Sequence, residues 1–109
     1  YASRGLGDVY KRQIQIPYRE ILTFSSRLHY VDILTADNLF CQYTTLGKIM
    51  DDLPDYFIRC HRSHIINMQH IYKISRSSIY LSNNTHIAIG RSYLDMTRNA
   101  FLKYSERLA

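Results

Sequence analysis

The sequence predicts a mainly β fold, an elongated domain of small antiparallel β-sheets with one short helix and a C-terminal helix. Three observations carry that prediction. Short runs of β-branched and aromatic residues recur along the chain, each bounded by turn-forming residues. Only two segments space their apolar residues as a helix does. No βαβ alternation, glycine-rich phosphate loop or internal repeat interrupts this order. At 109 residues the chain is long enough for one modest hydrophobic core and too short for two.

Residues 1–13 have scattered charges, the glycines Gly5 and Gly7, and no periodic apolar order. They read as a disordered leader. Their text resembles translated adapter sequence and so a non-native start, and the bland alternative is a flexible linker. The folded domain is expected over 14–109. It opens with a strand in which Ile14, Ile16 and Tyr18 alternate, held at an edge by Pro17, which has no amide proton to give a ladder. Ile21 to Ser25 is a second short run. His29–Thr35 and Leu39–Thr45 form a hairpin around Ala36-Asp37-Asn38. Thr45 then caps a helix of about two turns carrying Leu46, Ile49, Met50 and Leu53, and Pro54 ends it.

Phe57-Ile58, His64–Met68 and Ile71–Ile74 are again strand-like. Ser78–Ser82 and Thr85–Ile89 flank Asn83-Asn84, a pair that tolerates positive φ and suits a tight turn. In that hairpin Ile79 and Leu81 share a face with Ile87 and Ile89. Ser92 is placed to cap the C-terminal helix, whose inward side is expected to carry Tyr93, Met96, Ala100 and Tyr104, with Leu94, Phe101 and Leu108 nearby.

Charge narrows the function. The formal net charge is +5 and the pI about 9.4. Outside the first thirteen residues 11 basic groups face 8 acidic ones, and the two signs are segregated. From Tyr56 to Leu94 there are Arg59, Arg62, Lys73, Arg76, Arg91 and four of the five histidines, with no Asp or Glu. Solvated faces usually mix signs, so this half asks for an anionic partner, and a nucleic-acid backbone is the commonest large one. Cys41 and Cys60 lack a paired spacing and follow no signal peptide, which favours a reduced, cytoplasmic setting. No apolar run approaches the roughly 20 residues that span a bilayer.

Three segments hold the candidate binding residues. Arg59 and Arg62 with Ser63 offer guanidinium forks and a hydroxyl, against the bland reading of a solvated loop. Arg91 and Ser92 lie where a strand gives way to a helix. A cation is unfavourable at the positive end of a helix dipole unless an anion compensates it. His29, in the polar stretch Ser25–Tyr30, can bond a base edge and Arg27 a phosphate, although a lone histidine in a turn is more often a surface residue without a role. Cys60, His61, His64 and His70 are possible zinc ligands, but zinc needs four converging donors, and His61 and His64 three apart in strand-like text do not share a helical face. A hydrolase reading lacks paired acids and a nucleophile elbow.

The run Phe57-Ile58-Arg59-Cys60-His61-Arg62-Ser63-His64-Ile65-Ile66-Asn67, followed by Ile71, resembles the signature of the LytTR-type DNA-binding domain, the output module of many bacterial response regulators. Ile21-Leu22-Thr23-Phe24, His29-Tyr30-Val31, Thr45-Leu46 and Ile87-Ala88-Ile89-Gly90-Arg91-Ser92-Tyr93 fall in the family's order, so the resemblance spans about Ile14 to Leu108. It implies a non-enzymatic domain of two-component systems, without a cofactor. Such a domain binds double-stranded DNA sequence-specifically in transcriptional regulation and sends loops into successive major grooves. By position, His29, Arg62 and Arg91 would contact bases, and Arg59, Ser63 and Ser92 phosphates. Asn67 would bond backbone at a turn. Paired repeats would bring two domains together as a homodimer on DNA. Response regulators place a receiver domain upstream, and here only thirteen residues stand there, which reads as a fragment or a stand-alone regulator. The rival of another class is a protein-interaction or dimerisation module built on the tyrosine-rich strands, without specific DNA binding.

Overall fold

The computed structural model describes residues 15–108; the leader and Ile14 lie outside them. The strands are β1 (Ile21–Arg27), β2 (Tyr30–Thr35), β3 (Leu39–Tyr43), β4 (Phe57–His61), β5 (His64–Asn67), β6 (Ile71–Ser75), β7 (Ser78–Leu81) and β8 (His86–Ala88). Helix α1 (Leu46–Met50) follows β3, and α2 (Leu94–Leu108) ends the described chain. The first five strands form one antiparallel sheet in the order β3-β2-β1-β5-β4, and the last three form another, β6-β7-β8. The body measures 39 × 28 × 26 Å, longer in one direction as expected.

The sheets stack so that the central strands β1 and β5 are covered on both sides. Ile21 to Phe24 are all buried, as are Ile65 and Ile66. A strand enclosed on both faces reads as a continuous apolar run rather than an alternation, which is how Ile21-Leu22-Thr23-Phe24 stands in the sequence. One core gathers Ile16, Ile21, Phe24, Val31, Ile33, Leu46, Phe57 and Ile65 beneath α1. The other, between the sheets, gathers Leu22, Cys60, Ile66, Ile79, Leu81 and Ile89. Ile21 and Phe24 differ in strand parity yet share a core, because the β1–β2 register shifts between Ile21 and Thr23.

Local chemistry sets several boundaries. Thr45 is extended (φ −120°, ψ 156°) and its hydroxyl accepts from the Lys48 amide at 3.3 Å, which starts α1. Asn84 adopts φ 70° in the β7–β8 turn, the positive value its side chain tolerates. Ile79 pairs with Ile87, and both pack into the inter-sheet core with Leu81 and Ile89.

Three expectations fail for tertiary reasons. Among the described residues the expected strand is reduced to a single bridge at Ile16: Pro17 (φ −59°) opens a 3-10 turn, Tyr18–Glu20, closed by a 2.9 Å bond from the Glu20 amide to its carbonyl. Ser92 does not cap α2, because it lies within another 3-10 turn, Arg91–Tyr93, whose flanking residue is Gly90. Of the residues expected on the inner side of α2, Tyr93, Ala100 and Tyr104 are half-buried and Met96 is not. Met96, expected inward, is 54 % exposed, and Thr97 is buried in its place.

Candidate nucleic-acid interface

Antiparallel pairing fixes where the hairpin tips fall. Arg27 pairs with Tyr30, so Leu28 and His29 form the β1–β2 turn; His61 pairs with His64, so Arg62 and Ser63 form the β4–β5 turn. Because β1 and β5 are neighbours in the sheet, these turns lie side by side, and the Ser26 amide donates to the Ser63 carbonyl at 2.9 Å. The loop from β8 into α2 joins the same row, with the Gly90 amide donating to the Cys60 carbonyl at 3.0 Å. A Cβ on Gly90 would sit 3.2 Å from the Tyr93 ring and 3.4 Å from that of His61, so glycine is what lets this loop close on β4. Sequence-distant His29, Arg62 and Arg91 thus stand on loops tied to one another through backbone bonds.

Their side chains point to different duties. Arg62 and Arg91 are exposed, and their guanidinium groups make no ion pair or hydrogen bond among the described residues. His29 is exposed, with its ring 6.1 Å from that of Tyr43 on β3. Arg59 is half-buried; its Nη2 donates to the Arg62 carbonyl at 2.6 Å, and its Nε is enclosed without a partner. It therefore holds the turn that carries Arg62. Ser92 is exposed and makes no side-chain hydrogen bond among the described residues.

Ser63 is engaged twice with His61, whose Nδ1 lies 3.1 Å from its backbone amide and 2.9 Å from its Oγ. An amide can only donate, so Nδ1 is an acceptor and the ring proton belongs on Nε2. The Ser63 hydroxyl then donates to His61, and a phosphate bond from it requires that proton to turn away. His64 faces His61 at 5.2 Å between ring centroids and bonds Ser25 Oγ through Nδ1 at 2.9 Å. Burial first, and the neighbouring His61 second, lower its affinity for a proton below the usual histidine range.

Two of the acids are held in ion pairs. Arg27, expected to reach a phosphate, instead holds Asp32 in a two-pronged pair at 3.1 Å per bond. Asp55 pairs with Arg107 on α2. Among the described residues neither Ser–His pair has a carboxylate bonded to its imidazole, the group that orients the base in a catalytic triad. Burial pushes the Cys60 thiol up to about 12, away from the thiolate a metal needs. Among the described residues no cluster of three or more His, Cys, Asp or Glu could hold a metal ion. No described helix is long and apolar enough to cross a membrane.

Two residues at this end had no role in the sequence reading. Arg76 forms the β6–β7 turn with Ser77, and the Ile89 amide donates to the Ser77 carbonyl at 2.7 Å, which brings that turn beside the Arg91 loop. Arg98 of α2 steadies it by donating to the Arg76 carbonyl. Its sequence signal was weak, since Ser75-Arg76-Ser77-Ser78 lacks the Gly or Asn that marks a tight hairpin. The other is Leu28, 94 % exposed at φ 55°.

The fold and the motif order agree with known proteins. A solved LytTr DNA-binding domain from Bacillus cereus, assigned to a methyl-accepting/DNA response regulator, matches with a TM-score of 0.79 and 23 % identity, covering 90 % of this chain and 95 % of that one. No curated protein matches the sequence. The sequence model of the LytTr DNA-binding domain matches residues 11–101, which takes in all eight strands and every loop of the row just described. By that match the chain belongs to the LytTr DNA-binding domain family, and its macromolecular partner is DNA.

Proposed function

We propose that this domain recognises a specific double-stranded DNA sequence in transcriptional regulation, inserting its loops into successive major grooves. The observation that carries the reading is the alignment of the Leu28–His29 and Arg62–Ser63 turns and the Gly90–Ser92 loop along one backbone-bonded row, with Arg62 and Arg91 exposed and unpaired among the described residues. Guanidinium forks match the two acceptors on the guanine edge, and an imidazole can serve as donor or acceptor to a base. In this reading His29, Arg62 and Arg91 contact bases. Arg59, Ser63 and Ser92 serve phosphates, Arg59 while also bracing the Arg62 turn and Ser63 by releasing His61. Such a row presents one half-site, and two domains on a repeated site form the working assembly.

The test is selection from a randomised duplex pool near physiological salt, where non-specific binding fades and base readout survives. Enrichment of a repeated motif supports the reading and gives the half-site spacing. A pool that emerges unenriched would sink it and favour a protein-interaction module.

A further inference from the structure

We infer that Leu28 is a specificity-determining residue that packs its side chain against the 5-methyl group of a thymine next to the base faced by His29. This rests on the proposed sequence-specific reading. Leu28 is the most exposed of the large hydrophobic residues among those described, at 94 %. It also adopts φ 55°, a left-handed conformation that crowds the Cβ of a bulky residue and that glycine or asparagine occupies readily. Positive φ at the first of two central residues is where a tight hairpin turn ordinarily has glycine. A leucine there is unfavourable in backbone and in solvation, and among the described residues its side chain is left almost wholly in solvent. An outlier of this kind points to a purpose outside the chain.

The turn is built to present an apolar tip. The Asp32 carboxylate neutralises Arg27 just before it, through two bonds of 3.1 Å. Behind it Tyr43 stacks its edge on Tyr30 at 5.5 Å and lies 6.1 Å from His29, which stiffens the base of the loop. The neighbouring His29 is polar, so the two adjacent side chains supply one hydrogen-bonding and one apolar contact. In a major groove the apolar feature of the base edges is the thymine methyl.

The experiment uses an enriched duplex and replaces each thymine in turn by uracil, which removes only the methyl group. Wild-type protein should lose about fourfold in affinity at one thymine, the worth of a buried methyl. Leu28→Asn, which suits the positive φ and should melt no lower than wild type, should be indifferent at that position. His29→Ala should keep the uracil effect, because the methyl contact is made by Leu28. The inference is overturned if no thymine matters to the wild type, or if Leu28→Asn loses as much as wild type at the same step, and in either case the reading of specific recognition would stand. Failure to enrich any duplex would instead remove that reading and this inference with it.

Discussion

At one end of β5 the carboxamide of Asn67 is fully buried and fully bonded: it donates to the Ile21 carbonyl at 2.8 Å and the Tyr18 carbonyl at 3.3 Å, and accepts from the Gln69 amide at 2.9 Å. At the other end the chain leaves His64 into a turn where Arg62 is exposed and Arg59 Nε is enclosed without a partner. Four residues separate a corner with every polar atom matched from a tip with unmatched donors. Satisfied buried polar groups fix one conformation, whereas unmatched donors are held ready for something else. The difference teaches that stability and binding are assigned to opposite ends of one strand, and each assignment can be broken separately.

The largest expected effect is at the stable end. Asn67→Ala leaves the Ile21 carbonyl in the interior without this donor and removes the part-buried bond from the Gln69 amide, and should lower unfolding stability by about 2–3 kcal/mol. Chemical denaturation would read it, and the protein still folded should bind DNA as before. A comparable loss of affinity in that folded protein would mean that the two ends are coupled.

Next come the exposed arginines. Arg62→Ala and Arg91→Ala should each cost about 1–3 kcal/mol of binding at the base read and relax the preference there. Thermal melting should move little, because neither side chain is buried. Binding of single-position site variants would check this, and loss spread evenly over all sequences would reassign both residues to phosphates.

These ends differed in how far the sequence revealed them. Thr45 as a cap and Asn84 as a turn former were legible because a side chain acts on backbone within its own reach or at a turn of known type, and Asn67 as a backbone-bonding turn residue came with the motif, its bonds to Tyr18 and Ile21 being distant in sequence. The exposed arginines were legible from charge segregation. Their convergence was not, because it is made by the Ser26–Ser63 and Cys60–Gly90 bonds between segments with no local sign of each other. The same Gly90 contact explains the misplaced cap: the loop closes on His61 before α2 begins, so Ser92 is spent in a 3-10 turn. The strand drawn through Pro17 failed because periodicity was read where proline had already fixed a turn.

Arg59 sits between the two regimes, braced against the Arg62 carbonyl and enclosed at Nε. Arg59→Lys keeps the charge but loses the planar fork, so it separates bracing from phosphate neutralisation. The bracing predicts an unchanged salt slope with discrimination at the Arg62 base reduced by about 1 kcal/mol. Arg59→Ala should in addition flatten the slope by about one unit if a phosphate is also neutralised. An Arg59→Lys variant that discriminates as sharply as wild type would dismiss the brace.

The smallest effect is a pH dependence at the same end. His64 is held below the ordinary histidine value of 6.5 by burial and then by His61, so on acidification the unfolded chain takes up its proton first. Stability from this group is complete above pH 6.5 and declines as the pH falls from there through the depressed value in the folded protein. Protonation of His64 should disturb the Ser25 bond and place a cation 5.2 Å from the His61 ring beneath the Arg62 turn, whereas the Asn67 carboxamide bonds only backbone groups. Amide hydrogen exchange at pH 7 and pH 5 should therefore show faster opening at Ser26 and Gly90, whose amides bond the carbonyls of Ser63 and Cys60, with Gln69 unchanged. Equal acceleration at Gln69 would mean that acid loosens the whole domain and that β5 transmits the disturbance from one end to the other.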